Sequence, residues 1–422
     1  MSETIEIIPG VTLHILPGDK FKTTSVGIYF YRPLDNKANV TRAALIPLVL
    51  RRGSKKYPTA RAIASALEEF YGAALGVSVM KRGEVQVLRF GVKALSKQYA
   101  LEGDDPVAGA LSLLLDMLFH PVVDEKGFLE ENVAIEKEDL KDDIKSIIND
   151  KREYAMFRCK ELMCEGESYA LSENGDYDEV DKISREELYS FYKGFIKTAP
   201  VDIFVCGQAD AKAVSELLKA YFEPSARKGY PQTIDAGPNG GSIRRFSDEM
   251  DVNQGKLCIG FRTHTAASSD DYYALMVANE IFGGGVSSKL FNNVREKLSL
   301  AYYASSRLEK LKGLMLVSSG VEFANFQKAY DEIMAQFREV QEGCITQEEL
   351  GNAKRAIKNA LLSLDDSPRQ LQDFIVSNLL SGGGDVKTYL EKIEAVTLED
   401  VKRVFARVEA DTVYQLTGPA AQ

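Results

Sequence analysis

An α+β fold of two duplicated domains, each a mainly antiparallel sheet covered by helices, is what this sequence predicts, and three observations predict it. The chain has 422 residues, more than one hydrophobic core ordinarily organises and enough for two domains of about 200 residues each. Strand-like segments come in pairs followed by long amphipathic helices, not in strict alternation with them. One pattern is also written twice: Ile183-Ser184-Arg185-Glu186-Glu187-Leu188 returns as Val396-Thr397-Leu398-Glu399-Asp400-Val401, roughly 210 residues downstream.

In chain order, the first half reads as a strand over 26–31, helices over 41–51 and 59–70, and a strand over 85–92, from apolar spacing of period two or near 3.6. Its longest helical pattern covers 124–159, and the later half has a counterpart at 346–364. Each copy of the repeat places a hydroxyl with an acid three residues on, the arrangement of a capping box, so each opens a helix. Those helices carry an aromatic residue, Phe191 or Phe405, and yield to short apolar strands over 201–207 and 412–418. Between the copies, 224–241 is rich in proline and glycine without periodicity and reads as a linker. The expected domains are therefore 1–223 and 242–422.

Composition excludes several functions. Hydrophobic residues make up 45%, as in globular chains, and 62 acids against 52 bases give a formal charge of -10. No run of lysine and arginine interleaves with aromatics, and the doublets Arg51-Arg52 and Lys151-Arg152 are too short for a nucleic-acid surface. The start, MSETIEIIPG, has neither a basic segment nor a long apolar run, so secretion and membrane insertion are not expected and a cytoplasmic location is. Five cysteines, odd in number and scattered, argue against a disulfide framework. Cys159 and Cys164 lack companion ligands and read as buried free thiols. Neither 283–285 nor 382–384 has the lysine and hydroxyl spacing of a phosphate loop. The first reads as a turn, the second as a loop before a helix cap at Asp385.

The most informative stretch is 283–303, GGGVSSKLFNNVREKLSLAYY. A glycine turn leads into a helix, then a strand. Val286, Leu290, Val294 and Leu298 recur every four residues and predict one apolar helix face, with Arg295 and Lys297 off it. Tyr302 follows at the start of the alternating segment Leu300, Tyr302, Ala304. A helix-to-strand turn there would let its hydroxyl approach the Arg295 guanidinium, so that two donors converge on one carbonyl. The ordinary alternative pairs Arg295 with Glu296 or another acid and leaves Tyr302 as half-buried packing.

The whole string, Gly-Gly-Gly-x-Ser-Ser-x-Leu-Phe-x-x-x-Arg-Glu-Lys-x-x-Leu-Ala-Tyr, resembles the C-terminal-domain signature of the pitrilysin and insulinase (inverzincin) peptidases, a group that includes mitochondrial processing peptidase. The resemblance implies that Arg295 and Tyr302 hold substrate backbone beside a catalytic metal. It also implies two related domains, each with a largely antiparallel sheet covered by helices, facing each other across a cavity: the LuxS/processing-peptidase-like metallohydrolase architecture.

Active members of that family carry an inverted zinc motif, His-x-x-Glu-His, in which two histidines one turn apart bind zinc and the glutamate deprotonates water. Here the segment from Leu50 through Gly53 to Thr59 resembles the stretch just downstream of that motif. Counting back from Gly53 puts Ala44-Leu45-Ile46-Pro47-Leu48 in its place. Ala44 and Leu48 stand where the histidines belong and Pro47 where the base belongs; none can coordinate zinc or accept a proton. Pro47 is also expected to kink or shorten its helix, since proline in a helix interior costs roughly 3 kcal/mol. The family's remaining ligand is a glutamate seven residues after another. Glu131 and Glu138 have that spacing, so Glu138 is the vestigial candidate and Glu131 its companion, with Glu136 as a rival. The ordinary reading of Glu138, on so acidic a helix, is solvated surface. His14, His120 and His264 lie far apart in the chain, without an acid at metal spacing. No metal is therefore expected, in contrast to the zinc of active relatives, and no nucleophile elbow or cysteine-histidine signature offers a metal-free route.

These readings predict a catalytically inactive zinc-peptidase homologue that acts as a peptide-binding, substrate-positioning subunit of an active processing peptidase. In family pairs, as the resemblance implies, one subunit carries the zinc helix and the other supplies the arginine and tyrosine. A dimer is thus expected, with a paralogue bearing His-x-x-Glu-His, and proteolysis only in its company. Neither nucleic acid nor membrane is an expected partner. Two alternatives stay open at this point: an active metallopeptidase whose ligands come from His14, His120 or His264 with Glu138, and a non-enzymatic peptide-binding scaffold.

Overall fold

Period-two alternation builds the first sheet. Val26, Ile28 and Phe30 of β3 (Thr23–Pro33) share a core with Leu88, Phe90 and Val92 of β5 (Val85–Leu95). Leu13 and Ile15 of β2 (Val11–Leu16) and Ile203 and Val205 of β8 (Val201–Cys206) complete that face. Each such side chain stabilises the fold by about 1.5–3 kcal/mol when fully buried. With β1 (Glu3–Ile8) and β4 (Ala74–Arg82) these strands form a six-stranded sheet in the order β1-β2-β8-β3-β5-β4. Neighbours are antiparallel except β2 and β8, where Leu13 lies opposite Ile203 in a parallel pair. The computed structural model describes residues 3–232 and 241–419. It divides into one unit of Met1–Lys145 and Leu171–Gln232, and another of Ser146–Ala170 and Thr233–Gln422.

The first unit holds helices α1 (Lys37–Leu50), α2 (Ala60–Glu69), α3 (Pro106–Phe119), α4 (Glu130–Ser146), α6 (Tyr177–Val180), α7 (Arg185–Thr198) and α8 (Ala211–Lys219), with a two-residue hairpin of β6 (Val123–Asp124) and β7 (Gly127–Phe128). Helix α1 starts at Asn36, whose side chain accepts from the Asn39 N–H at 2.9 Å. It is apolar nearly all round, as a buried helix must be, and Val40, Ala43, Ala44, Leu45, Ile46, Pro47, Val49 and Leu50 are buried. The expected shortening at Pro47 does not occur. The helix runs on to Leu50, and the Arg51 N–H donates to the Pro47 carbonyl at 3.3 Å. Burial on every side holds the backbone across the bond that proline removes.

The expected helix over 124–159 is two helices that part company. Asp150 leaves helical backbone at φ -95, ψ 95 and accepts from the N–H groups of Arg152 and Glu153, capping α5 (Lys151–Met163). Residues up to Lys145 belong to the first unit; Ser146–Ala170 belong to the second. The domain expected over 1–223 is thus interrupted. Part of the expected linker, 233–240, lies outside the described residues.

The second sheet repeats the first without its edge strand. Its strands are β9 (Arg244–Glu249), β10 (Gly255–Arg262), β11 (Ala301–Glu309), β12 (Leu314–Val321) and β13 (Glu409–Thr417), in the order β11-β12-β10-β13-β9. Read from the other end this is the order β2-β8-β3-β5-β4 of the first sheet, and the parallel pair recurs as β9 with β13. One face, with Leu257, Ile259 and Phe261, meets a core shared with α9 (Asp271–Asn279), α10 (Phe326–Glu342), α11 (Gln347–Leu362), α13 (Val386–Ala395) and α14 (Leu398–Phe405), while α12 (Pro368–Ser381) lies between α11 and α13 in the chain. The other face, with Cys258, Leu316 and Tyr414, is covered by Ala155, Met156 and Cys159 of α5. Gly260 permits this approach, since a Cβ there would lie 2.5 Å from the Met163 sulfur. The duplicated capping boxes are real at Ser184 with Glu187 and at Thr397 with Asp400, and Asp385 caps α13.

Candidate functional site

The segment after α9 departs from ordinary helical geometry twice. Glu280–Gly284 and Leu290–Lys297 are both π-helical, with the wider i→i+5 turn that is rare and concentrates at functional sites. In the second, the Leu298 N–H donates to the Asn293 carbonyl at 3.1 Å, and Ser299 then takes φ 49 to release the chain into β11. The four-residue stripe read from sequence is therefore only half formed. Leu290 and Val294 are buried in the second core, but Val286 is 77% exposed and Leu298 45%. Val286 precedes the helical turn and Leu298 closes it, so neither is carried onto its inner face.

Arg295 and Tyr302 are both presented to solvent. The Arg295 Nε stands 3.4 Å from Glu296 Oε1, and its guanidinium lies over the Phe291 ring at 4.7 Å, one turn back. Tyr302 is 65% exposed. Ala301 pairs with Val321 and Tyr303 with Gly320, so Tyr302 is the extra residue of a bulge, and such bulges re-aim side chains. Of the ordinary alternative, the pairing of Arg295 with Glu296 holds and the half-buried packing of Tyr302 does not. Among the described residues neither side chain bonds the other, so both keep donors available.

At the position of the vestigial ligand candidates, arginines meet a buried carboxylate. Glu136, not Glu138, is the buried carboxylate of α4. It accepts from Arg51 Nη2 at 3.2 Å and from Arg52 Nε, while Asp139 stands 3.4 Å from Arg52 Nη2. Glu138, the sequence candidate, is exposed and paired with Lys141 at 2.9 Å; Glu131 is exposed as well. The arginine doublet, set aside in sequence as too short to form a basic surface, thus neutralises one buried acid. A buried carboxylate without such compensation would be costly.

The histidines do not rebuild a metal site. His14 Nε2 lies 2.7 Å from Asp202 Oδ1 and stacks on Phe204, and Tyr230 donates to the other Asp202 oxygen at 2.8 Å. His120 Nδ1 lies 3.2 Å from Asp116, one helical turn earlier, an acid neighbour that the sequence reading overlooked. His264 faces Glu409 at 3.3 Å. Among the described residues no group of three or more histidine, cysteine, aspartate and glutamate side chains could hold a metal ion. Zinc therefore does not fit the residues present: Ala44, Pro47 and Leu48 offer no donor, and Glu136 is saturated by guanidinium groups.

Sequence reasoning also missed Glu280. It sits in the first π-helical turn, partly buried, with neither hydrogen bond nor ion pair among the described residues. Burial alone pushes its carboxyl above the usual glutamate range. Its only signal in sequence is an acid just before the triple glycine.

Comparison with known proteins matches residues 182–357 to a family described as the peptidase M16 inactive domain. A Bacillus subtilis protein named probable inactive metalloprotease YmfF is 36% identical over 410 residues, covering 97% of this chain and 96% of that protein. The crystal structure of a conserved protein from Enterococcus faecalis V583 superposes with a TM-score of 0.90 at 28% identity, covering 100% of this chain and 99% of the other. A peptidase M16 inactive domain from Pseudomonas fluorescens, at TM-score 0.77 and 18% identity over 100% of this chain and 99% of its own, shares the fold. With a duplicated α+β scaffold, a π-helical glycine and arginine-tyrosine segment, and a relative aligned over nearly its whole length, the chain belongs to the M16 peptidase family.

Proposed function

We propose that this protein is a catalytically inactive M16 homologue that binds peptide through Arg295 and Tyr302 and positions it for a zinc-bearing partner subunit. One observation supports the reading: Arg295, beside Glu296, and Tyr302 are exposed, while Ala44, Pro47 and Leu48 offer no metal donor and Glu136 is clamped by arginines. Hydroxyl and guanidinium donors of this kind can hold an extended peptide by its carbonyl groups and stabilise charge developing on one of them. Without a metal, the pKa of water is not lowered to about 7, so the chain supplies no nucleophile of its own.

The test is a peptidase assay on the purified chain, with and without zinc, and again after co-expression with a paralogue carrying His-x-x-Glu-His. The expected result is no hydrolysis alone, and hydrolysis in the mixture that falls on Arg295→Ala or Tyr302→Phe in this chain. Zinc-dependent hydrolysis by the chain alone would defeat the proposal. Mixed-complex activity indifferent to both substitutions would leave this subunit a scaffold.

A further inference from the structure

The bulge that re-aims Tyr302 also sets the residue after it. Ala301 and Ala304 both point into the second core, so the extra residue between them leaves Tyr302 and Tyr303 together on the side away from that core. Tyr303 lies over Gly320 of β12, where a Cβ would stand 2.6 Å from its Cε1, and glycine there lets the ring reach across toward β10. Two cations meet it. Arg152, in the first turn of α5, places its guanidinium 4.3 Å from the ring centroid, and Lys256 of β10 places its ammonium 5.9 Å away.

Neither cation is matched by an acid. Among the described residues Arg152 and Lys256 form no ion pair; Arg152 donates to Ser305 Oγ at 3.2 Å and Lys256 to Gln254 Oε1 at 2.7 Å, each with further N–H groups to give. Farther along the same helix the cations do meet acids, Arg158 through Glu161 and Asp248 and Lys160 through Glu309. Asp150, whose charge reaches Lys256, is engaged as the cap of α5. Burial holds the Lys256 ammonium below the ordinary lysine range, and the Arg152 charge lowers it further. An aromatic face attracts a cation, yet two cations on one ring repel each other. An anion between them would remove that repulsion.

We infer that Arg152 and Lys256, gathered on Tyr303, form a carboxylate site for the bound peptide, taking an acidic side chain or a free C-terminus. The guanidinium presents paired N–H groups that match the two oxygens of a carboxylate, and the ammonium adds a compact charge. Tyr302, the next residue in the chain, belongs to the motif read as holding peptide backbone, so the inference rests on that reading for the identity of its ligand.

The experiment uses the full chain and three pools of dodecapeptides, each labelled at the amino terminus with an uncharged BODIPY dye and randomised over uncharged residues except at the centre. One pool has central glutamate and an amidated C-terminus, one has central glutamine and the amide, and one has central glutamine and a free C-terminal carboxylate. Anisotropy should show the glutamate or the free-carboxylate pool binding at least tenfold more tightly than the uncharged pool, and which of the two does so identifies the source of the anion. That preference should shrink between about 50 and about 500 mM sodium chloride, as a solvent-accessible charge pair is screened. Arg152→Gln with Lys256→Gln should bring all pools within about twofold of one another, with the thermal midpoint unchanged or raised. Equal binding of all pools by the unaltered protein, a preference indifferent to salt, or one that survives the double substitution would overturn the carboxylate site while leaving peptide binding intact. A preference lost in the double variant, with binding unaffected by Arg295→Ala and Tyr302→Phe, would uphold the site and overturn the peptide-holding role of the motif. No binding of any pool would overturn both.

Discussion

Arg51 Nη2 stands 3.2 Å from Glu136 Oε2, and that contact joins the end of α1 to α4. Arg52 Nε reaches the other oxygen of the same carboxylate. The buried charge is thereby matched from protein alone. Replacing both arginines by alanine leaves Glu136 charged and enclosed, which should cost about 3–5 kcal/mol and lower the urea midpoint. Adding Glu136→Leu to that variant should return much of the loss. A triple variant no more stable than the double one would refute the clamp.

Glu138 supplies the contrast. It is 71% exposed at the side chain and, among the described residues, paired only with Lys141, so Glu138→Ala should change stability by no more than about 0.5 kcal/mol. Equilibrium dialysis against zinc should give the same uptake before and after the substitution. A fall in stoichiometric zinc on Glu138→Ala would restore it as a ligand.

The difference between those two glutamates marks where sequence stops being sufficient. Spacing of seven is visible in the letters and puts Glu131 and Glu138 on one face. Glu136 instead shares the buried face of α4 with the core residues Val133 and Leu140, and its charge is met by the guanidinium groups of Arg51 and Arg52, more than eighty residues earlier. The capping boxes at Ser184 and Thr397 were legible because a cap is satisfied within four residues. The break at Asp150 was not, since the side chain that caps α5 fits a continuous helical pattern equally well and what separates α4 from α5 is packing against Cys258, Leu316 and Tyr414. Val286 misled for a similar reason: four-residue spacing assumes a regular α-helix, and this segment is π-helical only from Leu290. The motif itself, Arg295 and Tyr302 included, was readable as a string, while the exposure of Tyr302 followed from a bulge that no single-strand pattern encodes.

Leu290 and Tyr302 separate packing from presentation within that motif. Leu290 is fully buried, so Leu290→Ala should cost about 2–5 kcal/mol through lost transfer energy and the cavity left behind. Tyr302→Phe removes one exposed hydroxyl and should leave the thermal midpoint unchanged. Unfolding by differential scanning calorimetry checks both; a large destabilisation by Tyr302→Phe would make the tyrosine structural.

The thiols should report native packing. Cys344 is exposed, whereas Cys159, Cys164, Cys206 and Cys258 are buried, and burial pushes the Cys258 thiol up to about 12 and raises Cys159 well above the usual thiol range. Titration with a disulfide reagent at pH 8 should find one fast thiol in the native protein and five in denaturant. Fast labelling of Cys159 without denaturant would mean that α5 does not stay on its sheet.

Acid should loosen that same docking. The Met163 carbonyl at the end of α5 accepts from Arg244 at 2.8 Å and from Arg262 at 3.1 Å, and Arg262 is held in turn by Asp411 at 2.7 Å and Glu167 at 3.0 Å. Burial works to raise both carboxyls, but hydrogen bonds outweigh it and hold each below the ordinary carboxylate range, from Lys312 and Arg262 at Glu167 and from Thr412, Arg262 and Arg244 at Asp411. A group whose folded pKa is depressed contributes its stability fully above the unfolded value, about 4, and loses it as pH falls through the folded value. The thermal midpoint should therefore be nearly flat from pH 7 to about 5 and drop below about 4. Replacing Glu167 by Gln and Asp411 by Asn should lower stability at pH 7 yet flatten the acid slope, because the protonated state is then approached in advance. Other depressed carboxylates, Asp271 and Asp400 among them, keep some slope in the variant. An acid profile as steep as the unaltered protein's would show that the arginine-carboxylate cluster does not bind α5 to the sheet through charge.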